Sequence, residues 1–396
     1  MTPEAQFVRE CFRRYYAARE LEFPPDPVRR EWAFMFPDRM MERHKAFPTV
    51  EALRATVKSQ APAHLFYSSA YFDRPGEPVM GKKGWRGADL FFDLDLDPMS
   101  VPPEQRTYEA LLKRIQEETR KLLDFLLDDF ALKSVATVFS GQKGYHLHVR
   151  DPEVIPLGGP GRREIVDYIT ATGLELEGSV LYREEGTRAR RIRAEGGWGR
   201  RMARRVVSLL EELAPLPEKE AVARVRSEFD FLSPAQARSL VAKGRDPKAL
   251  ARILERGEID QIKGFPWAKL VERMTVPMLA KPDQLVTGDV HRLARTPTSL
   301  HGTTALQVTP LPPDRLKDFD PLREAVVLGR DPVALEVAGE IRFRLGPERF
   351  HLGPGLHEVP EYAAAHLLAG GWQLWLPPPK RQGFSVKLAQ KPPSSN

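Results

Sequence analysis

The chain has 396 residues, with 60 lysines and arginines against 54 acids, so it has room for two or three domains and favours an anionic partner such as nucleic acid. With 42% hydrophobic and 29% charged residues its composition is that of a globular protein. No apolar run approaches the ~18 residues needed to cross a bilayer, and Glu4, Arg9 and Glu10 interrupt any secretory signal, which predicts a cytoplasmic protein with no membrane partner. The lone Cys11 excludes an intramolecular disulfide and a zinc site of several thiolates, and reads as a buried small hydrophobe.

The first strand-like run is residues 89–95, DLFFDLD. A strand alternates its faces, so Asp93 and Asp95 project together while Phe92, Leu94 and Leu96 fill the other side. Two adjacent anions repel unless a cation lies between them, and oxygen donors on a strand suit Mg²⁺ or Mn²⁺. The pair alone also fits a solvated strand end. Asp97 precedes Pro98 and reads as the end of the strand. Leu111, Leu112, Ile115, Leu122, Leu123, Leu126, Leu127 and Phe130 then recur at helical spacing, which predicts a long amphipathic helix over 107–130.

Two further strands are predicted at 134–140 and 145–150, joined by Ser140-Gly141-Gln142-Lys143-Gly144. The glycines let backbone N–H groups approach an anion and Lys143 adds charge, although a Gly-Lys-Gly turn is also an ordinary connector. His146 and His148 share the face opposite Tyr145, Leu147 and Val149. His146 is the candidate phosphate or hydroxyl ligand, and His148 reads as an ordinary strand residue. Strand, long helix, strand, turn, strand is an α/β pattern with a mixed sheet.

From about 160 to 278 the pattern turns helical and highly charged, with helices expected over 200–213, 233–243 and 246–256, and reads as a helical insertion. It contains nine arginines between Arg183 and Arg205, including Arg188, with three glycines around Trp198. Arg190, Arg191, Arg193, Arg200 and Arg201 with an exposed Trp198 could hold phosphates and stack a base. A solvated charged face accounts for the composition equally well.

Residues 283–302 crowd Asp283, Asp289, Arg292, Arg295 and His301 together. Carboxylates for a metal and cations for phosphates are what a metal-bound triphosphate needs. Short mixed elements follow to Leu311. Residues 335–377 alternate as a small β-rich unit, below the size that usually stands alone, so it should dock on something. The Pro-rich tail 378–396 reads as disordered.

In this order the segments resemble the small, catalytic subunit of archaeal and eukaryotic-type DNA primases. The likeness runs over about residues 10–320. It begins with Glu31-Trp-Ala-Phe34 and Arg43-His44-Lys-Ala-Phe47 and continues through Tyr67-Ser68-Ser69 and Phe92-Asp93-Leu94-Asp95. Ser140-Gly141 and Gly144-Tyr145-His146 follow, and the match closes with Asp283 and Arg295-x-Pro-x-Ser-Leu-His301-Gly302. The resemblance implies a primase–polymerase α/β core over 1–330 with a helical insertion. It implies metal-binding carboxylates at Asp93, Asp95 and Asp283, with Asp289 in support. Triphosphate contacts are implied from Ser140, Lys143, His146, Arg295 and His301, and a basic contact from Arg43, with Arg292 a possible substitute cation.

It further implies two Mg²⁺ or Mn²⁺ ions and a nucleotidyltransferase that makes short primers from NTPs or dNTPs on single-stranded DNA at the nucleoid. The implied partner is a large subunit carrying an iron–sulfur cluster that this chain could not ligate. Departures are the absence of the cysteines of a zinc knuckle, so no zinc is expected, and Gln142 and Thr303 where relatives often place cations. A gap-filling polymerase of the same superfamily and a non-catalytic nucleic-acid-binding scaffold are the alternatives. Residues 335–377, with Val359-Pro360-Glu361-Tyr362-Ala363 and Leu367–Gly371, are similar to the B domain of GINS subunits, which implies docking onto another replisome protein.

Overall fold

In the computed structural model, residues 1–95, 101–102, 106–186, 189–259 and 264–389 are described; Leu96, Asp97, Arg188 and residues 390–396 lie outside that set. The chain opens with α1 (Pro3–Ala18), where Thr2 accepts from Ala5 N and Pro3 occupies a first-turn position whose N–H would have no helical partner. It buries Val8, Cys11, Phe12, Tyr15 and Tyr16, and Cys11 is a buried free thiol. Strands β1 (Trp32–Phe36) and β2 (Arg39–Lys45), helix α2 (Val50–Gln60) and strand β3 (His64–Ser68) follow. Next come the short hairpin strands β4 (Ala70–Phe72) and β5 (Trp85–Ala88), then β6 (Leu90–Asp95).

Helix α3 (Tyr108–Asp124) is capped by Thr107 and buries Tyr108, Leu112, Ile115, Leu122 and Leu123. The expected helix to residue 130 instead widens into a π-helical turn over Phe125–Asp129. Strands β7 (Val135–Phe139) and β8 (Gly144–Val149) complete a β-α-β-β unit. β6 and β7 point the same way, and β8 runs between them antiparallel to both. This register sets Asp93 opposite His146 and Asp95 opposite Gly144. Helix α4 (Gly159–Ile169) then leads on.

Residues 128–130 and 167–280 form a second compact unit. It holds the turn α5 (Leu176–Ser179), the hairpin β9 (Leu181–Arg183) and β10 (Arg190–Ile192), and helices α6 (Gly197–Leu213), α7 (Glu218–Glu228), α8 (Pro234–Gly244), α9 (Pro247–Arg256) and α10 (Trp267–Thr275). Ser233 with Gln236 makes a capping box for α8, and Asp246 caps α9.

The first unit resumes at residue 281 with α11 (Gln284–Gly288), β11 (Leu293–Arg295), β12 (Thr309–Leu311) and α12 (Pro321–Glu324). β11 joins the sheet ordered β11-β3-β1-β2, and β12 joins the sheet ordered β12-β7-β8-β6. Strands β13 (Pro332–Val337), β14 (Ile341–Leu345), β15 (Glu348–Leu352) and β16 (Gly355–Pro360) and helix α13 (Glu361–Leu368) come next. The chain ends in α14 (Trp372–Trp375), α15 (Pro378–Arg381) and β17 (Val386–Leu388).

The stretch at 335–377, expected to dock, belongs to the same compact unit as β1–β8. The tail read as disordered is ordered through residue 389: Val386 and Leu388 pair with Val337 and Leu335 on the open edge of β13, and Phe384 packs its ring on Trp372. Proline-rich composition hid a strand whose stability comes from a partner about 50 residues upstream. Among the described residues no helix is long and apolar enough to cross a membrane.

At the start of β6 lies a buried charge cluster. Asp89 accepts from Arg30 at 3.0 Å, Arg150 at 3.0 Å and the Tyr71 hydroxyl at 2.6 Å, with His148 Nδ1 at 3.5 Å. Arg30 also donates to the carbonyls of Ser68 and Ser69, and Arg162 to those of Asp89 and Ala88. Burial pushes the Asp89 carboxyl up in pKa, but His148, Arg30 and Arg150 outweigh it and hold the group well below the usual range. Removing one member of such a set strands the others without a counter-charge. Asp89→Ala is expected to destabilise the protein by about 3–5 kcal/mol. A urea-unfolding midpoint equal to wild type would contradict this.

Candidate active site

The cleft forms where β6 and β8 meet β11. It encloses about 230 Å³ and is lined by Asp93, Asp95, Ser140, His146, Arg295 and His301, among others. Strand alternation brings Asp93 and Asp95 to one face, as the spacing requires, and Gly144 opposite Asp95 leaves room for the carboxylate. A Cβ at residue 144 would come within 2.1 Å of Asp95 Oδ1. Gly141 takes the left-handed conformation, φ +84°, that turns the chain between β7 and β8. Ser140 closes the turn: its Oγ accepts from Gly144 N at 3.2 Å, and its N–H donates to Gly144 O at 2.9 Å.

The two carboxylates are under-neutralised. Arg292 Nη2 stands 3.8 Å and His146 Nε2 3.7 Å from Asp93, and Lys143 Nζ stands 3.9 Å from Asp95. These are long contacts for ion pairs. Burial raises the pKa of both groups; Asp283 adds to the shift at Asp93, and Asp93 adds to that at Asp95.

Asp283 is pinned beside β6, its N–H donating to Asp93 O at 3.2 Å. Its side chain caps α11 by accepting from Leu285 N and Val286 N at 2.9 and 3.1 Å. Among the described residues no three His, Cys, Asp or Glu side chains are gathered into a metal-holding group. The donor chemistry nevertheless fits a hard divalent ion: two raised carboxylates share a rigid face, with a third acid on the adjoining helix. Asp289 turns to its own backbone, accepting from His291 N.

Of the two arginines lining the cleft, Arg295 is the more constrained. Its Nη1 donates to His64 Nδ1 at 2.6 Å, and its guanidinium lies 4.9 Å from the Phe66 ring centroid. His64 Nδ1 also accepts from Gly302 N at 3.2 Å, and its ring meets His301 edge-on at 4.8 Å. A Cβ at Gly302 would come within 2.6 Å of His64 Nε2, which explains the glycine after His301. Arginine and amide N–H groups only donate, so Nδ1 of His64 must be an acceptor and the ring neutral. His64 escaped sequence reading because its partners are more than 230 residues away. His148, read as an ordinary strand residue, belongs to the Asp89 cluster.

Other expectations move. Arg43 lies on β2, three strands from β11 at the far edge of the sheet, and pairs with buried Glu31 at 3.0 Å, so it does not line the cleft. Trp198 is buried and donates Nε1–H to Tyr168 O at 2.8 Å, so it presents no stacking face. Its arginine neighbours are largely engaged. Arg190 pairs with Glu177, Arg191 with Glu184 and Glu258, and Arg201 with Asp129, while Arg193 and Arg200 donate to the carbonyls of Gly178 and Asp128. The helix periodicity that buries Met202, Val206 and Leu209 also turns Trp198 inward.

Burial holds the histidines neutral. The pKa of His64 and of His146 is lowered to about 3, that of His148 to about 4, and that of His301 lies well below its usual value. Nearby Arg295 reinforces the shift at His64, His146 and His301. Unfolded histidines take up protons below about pH 6.5, whereas these do so only at lower pH, so the unfolded state binds more protons. Stability is then expected to fall as pH drops below about 6.5, by up to about 1.4 kcal/mol per pH unit per histidine. A thermal midpoint that stays level from neutral pH down to mildly acid conditions would show that the rings are not held neutral.

The model of the DNA primase small subunit family matches residues 92–312. The DNA primase small subunit of Methanothrix thermoacetophila is 38% identical over 386 residues, covering 92% of this chain and 97% of that protein. Those of Methanococcoides burtonii and Halobacterium salinarum are each 35% identical over 92% of this chain, covering 97% and 96% of their own lengths. The polymerase domain of Mycobacterium tuberculosis ligase D in complex with DNA overlays with a TM-score of 0.35 at 14% identity, over 81% of this chain and 84% of that one. That likeness is too loose to bear on the site.

Proposed function

Since the chain belongs to the DNA primase small-subunit family and is a primase catalytic subunit of DNA replication, we propose that its cleft performs template-directed nucleotidyl transfer onto a primer 3′-hydroxyl. The observation that carries this is the pair Asp93 and Asp95, under-neutralised on one strand face and flanked by Arg292, Arg295 and Lys143. Asp93 and Asp95, with Asp283 released from its capping role, would hold Mg²⁺ or Mn²⁺. What such ions supply when bound is a lower pKa at the attacking hydroxyl and neutralisation of the departing pyrophosphate.

The chain's own residues supply position and charge. Arg295, aimed by His64, and Arg292 offer fixed cations to the triphosphate, and Lys143 reaches it from the turn after β7. His146 and His301, being neutral, offer ring N–H donors rather than positive charge. Phosphoryl transfer leaves little covalent work for side chains, so this placement accounts for the rate. Single-stranded DNA would be the template and NTPs or dNTPs the substrates. The large subunit would carry the iron–sulfur cluster.

The test is incubation with unprimed oligo-dT, labelled ATP and Mg²⁺ or Mn²⁺. Labelled oligomers are expected from the wild type and none from Asp93→Asn, with an unchanged far-UV circular dichroism spectrum. Arg295→Met is expected to lose ~10²-fold in rate. Product only on a primed template would move the chain to a gap-filling polymerase, and wild-type activity in Asp93→Asn would overturn the site.

A further inference from the structure

The turn at 140–144 is held from behind by contacts that none of the motifs describes. Gly141 O accepts from Thr304 Oγ1 at 2.5 Å, and Gln142 O accepts from the Tyr108 hydroxyl. Two successive carbonyls of the turn are therefore fixed from outside it. Thr304 closes the tight turn that begins at His301, its N–H donating to His301 O at 3.1 Å. One residue thus sets both the Ser140–Gly144 turn and the His301 side of the cleft.

Thr304 is itself held by α13. His366, fully buried, bonds Thr304 O through Nδ1 at 2.7 Å, and its Nε2 faces Trp375 Nε1 at 3.0 Å. A carbonyl only accepts and an indole N–H only donates, so Nδ1 must carry the proton and Nε2 must be bare. Both nitrogens have one role each, and the ring has no alternative orientation that satisfies both partners. Burial keeps it neutral, lowering its pKa to about 4.

Trp375 then meets Tyr108 edge-on at 5.0 Å, which closes a circuit from Gln142 through Tyr108, Trp375, His366 and Thr304 back to Gly141. The Gly370-Gly371 pair after α13 belongs to the same arrangement. A Cβ on Gly371 would come within 2.4 Å of His366 Cε1, and Thr303 Cγ2 lies 3.6 Å from where a Cβ on Gly370 would stand.

We propose that the C-terminal strands and helices are a working wall of the active site, in which His366 is a positioning residue that fixes the nucleotide-binding turn through Thr304. This rests on the reading of residues 140–146 as that turn. Packing alone does not call for an imidazole here, because a phenyl ring would fill the space without two polar atoms to satisfy. The directed bonds at both nitrogens are what a positioning role needs and a packing role does not.

The test compares His366→Phe, which keeps a ring and loses both bonds, with His366→Asn, which can keep the donor to Thr304 O, and with Trp375→Phe, which loses only the indole N–H. Amide hydrogen exchange over residues 140–144 is read beside kcat and KM for nucleotide on a primed template. In His366→Phe the turn amides are expected to exchange about tenfold faster or more, and kcat to fall by about 10- to 100-fold. Asn should recover most of both, with Trp375→Phe in between. Wild-type exchange at the turn in His366→Phe and Trp375→Phe would overturn the proposal, as would faster exchange with unchanged kcat, or a loss that Asn does not relieve. Should His366→Phe fail to fold, Trp375→Phe decides. If wild-type protein incorporates no nucleotide at all, the catalytic reading fails and the exchange data alone decide whether the wall holds the turn.

Discussion

Asp93 and Asp95 place two like charges on one face of a strand whose opposite face is core, and much of the surrounding structure answers that conflict. Neutralisation is only loose, since Arg292 and Lys143 stand at 3.8 and 3.9 Å, the long end of ion-pair distance, and His146, being neutral, brings no charge. Full pairing with arginine would quench the carboxylates and leave no reason for a divalent ion to bind. The cations are instead held at the rim, where a triphosphate would meet them. Burial raises the pKa of both carboxyls, so a nearby positive charge would stabilise their ionised forms.

Holding charges apart at fixed distances requires rigid supports, and these are supplied by neutral imidazoles and a second buried network. His64 aims Arg295, and Gly302 leaves room for the His64 ring. Asp89, with Arg30, Arg150 and His148, ties the ends of β3 and β6 to β8 further along the sheet from the cleft. Burying that many charges is justified only because each is paired. Each histidine works here as an oriented donor or acceptor rather than as a charge, a role that depends on exclusion of water.

The insertion shows what composition leaves open. Nine arginines and a tryptophan within about two dozen residues read equally as a nucleic-acid surface and as a solvated charged face; the tryptophan faces the helical core, and most of the described arginines bond local acids or carbonyls. The C-terminal stretch shows another limit. Its small size predicted docking without naming a surface, and its helix meets Thr304, which in turn bonds the Gly141 carbonyl.

Local order was readable from the sequence wherever the cause was local. The i, i+2 alternation of Asp93 and Asp95, the glycines at 141 and 144 and the amphipathic period of α3 follow from the geometry of a single strand, turn or helix. The ordered series of motifs was enough to suggest the family. What only the tertiary structure decided depends on contacts across long sequence separations. Those contacts pair His64 with Arg295, gather four side chains on Asp89, leave Arg43 away from the cleft, bury Trp198 and bring His366 to Thr304. A sequence displays spacing along the chain, but which distant nitrogen meets which oxygen is set by how sheets and helices pack, and no local periodicity carries that information.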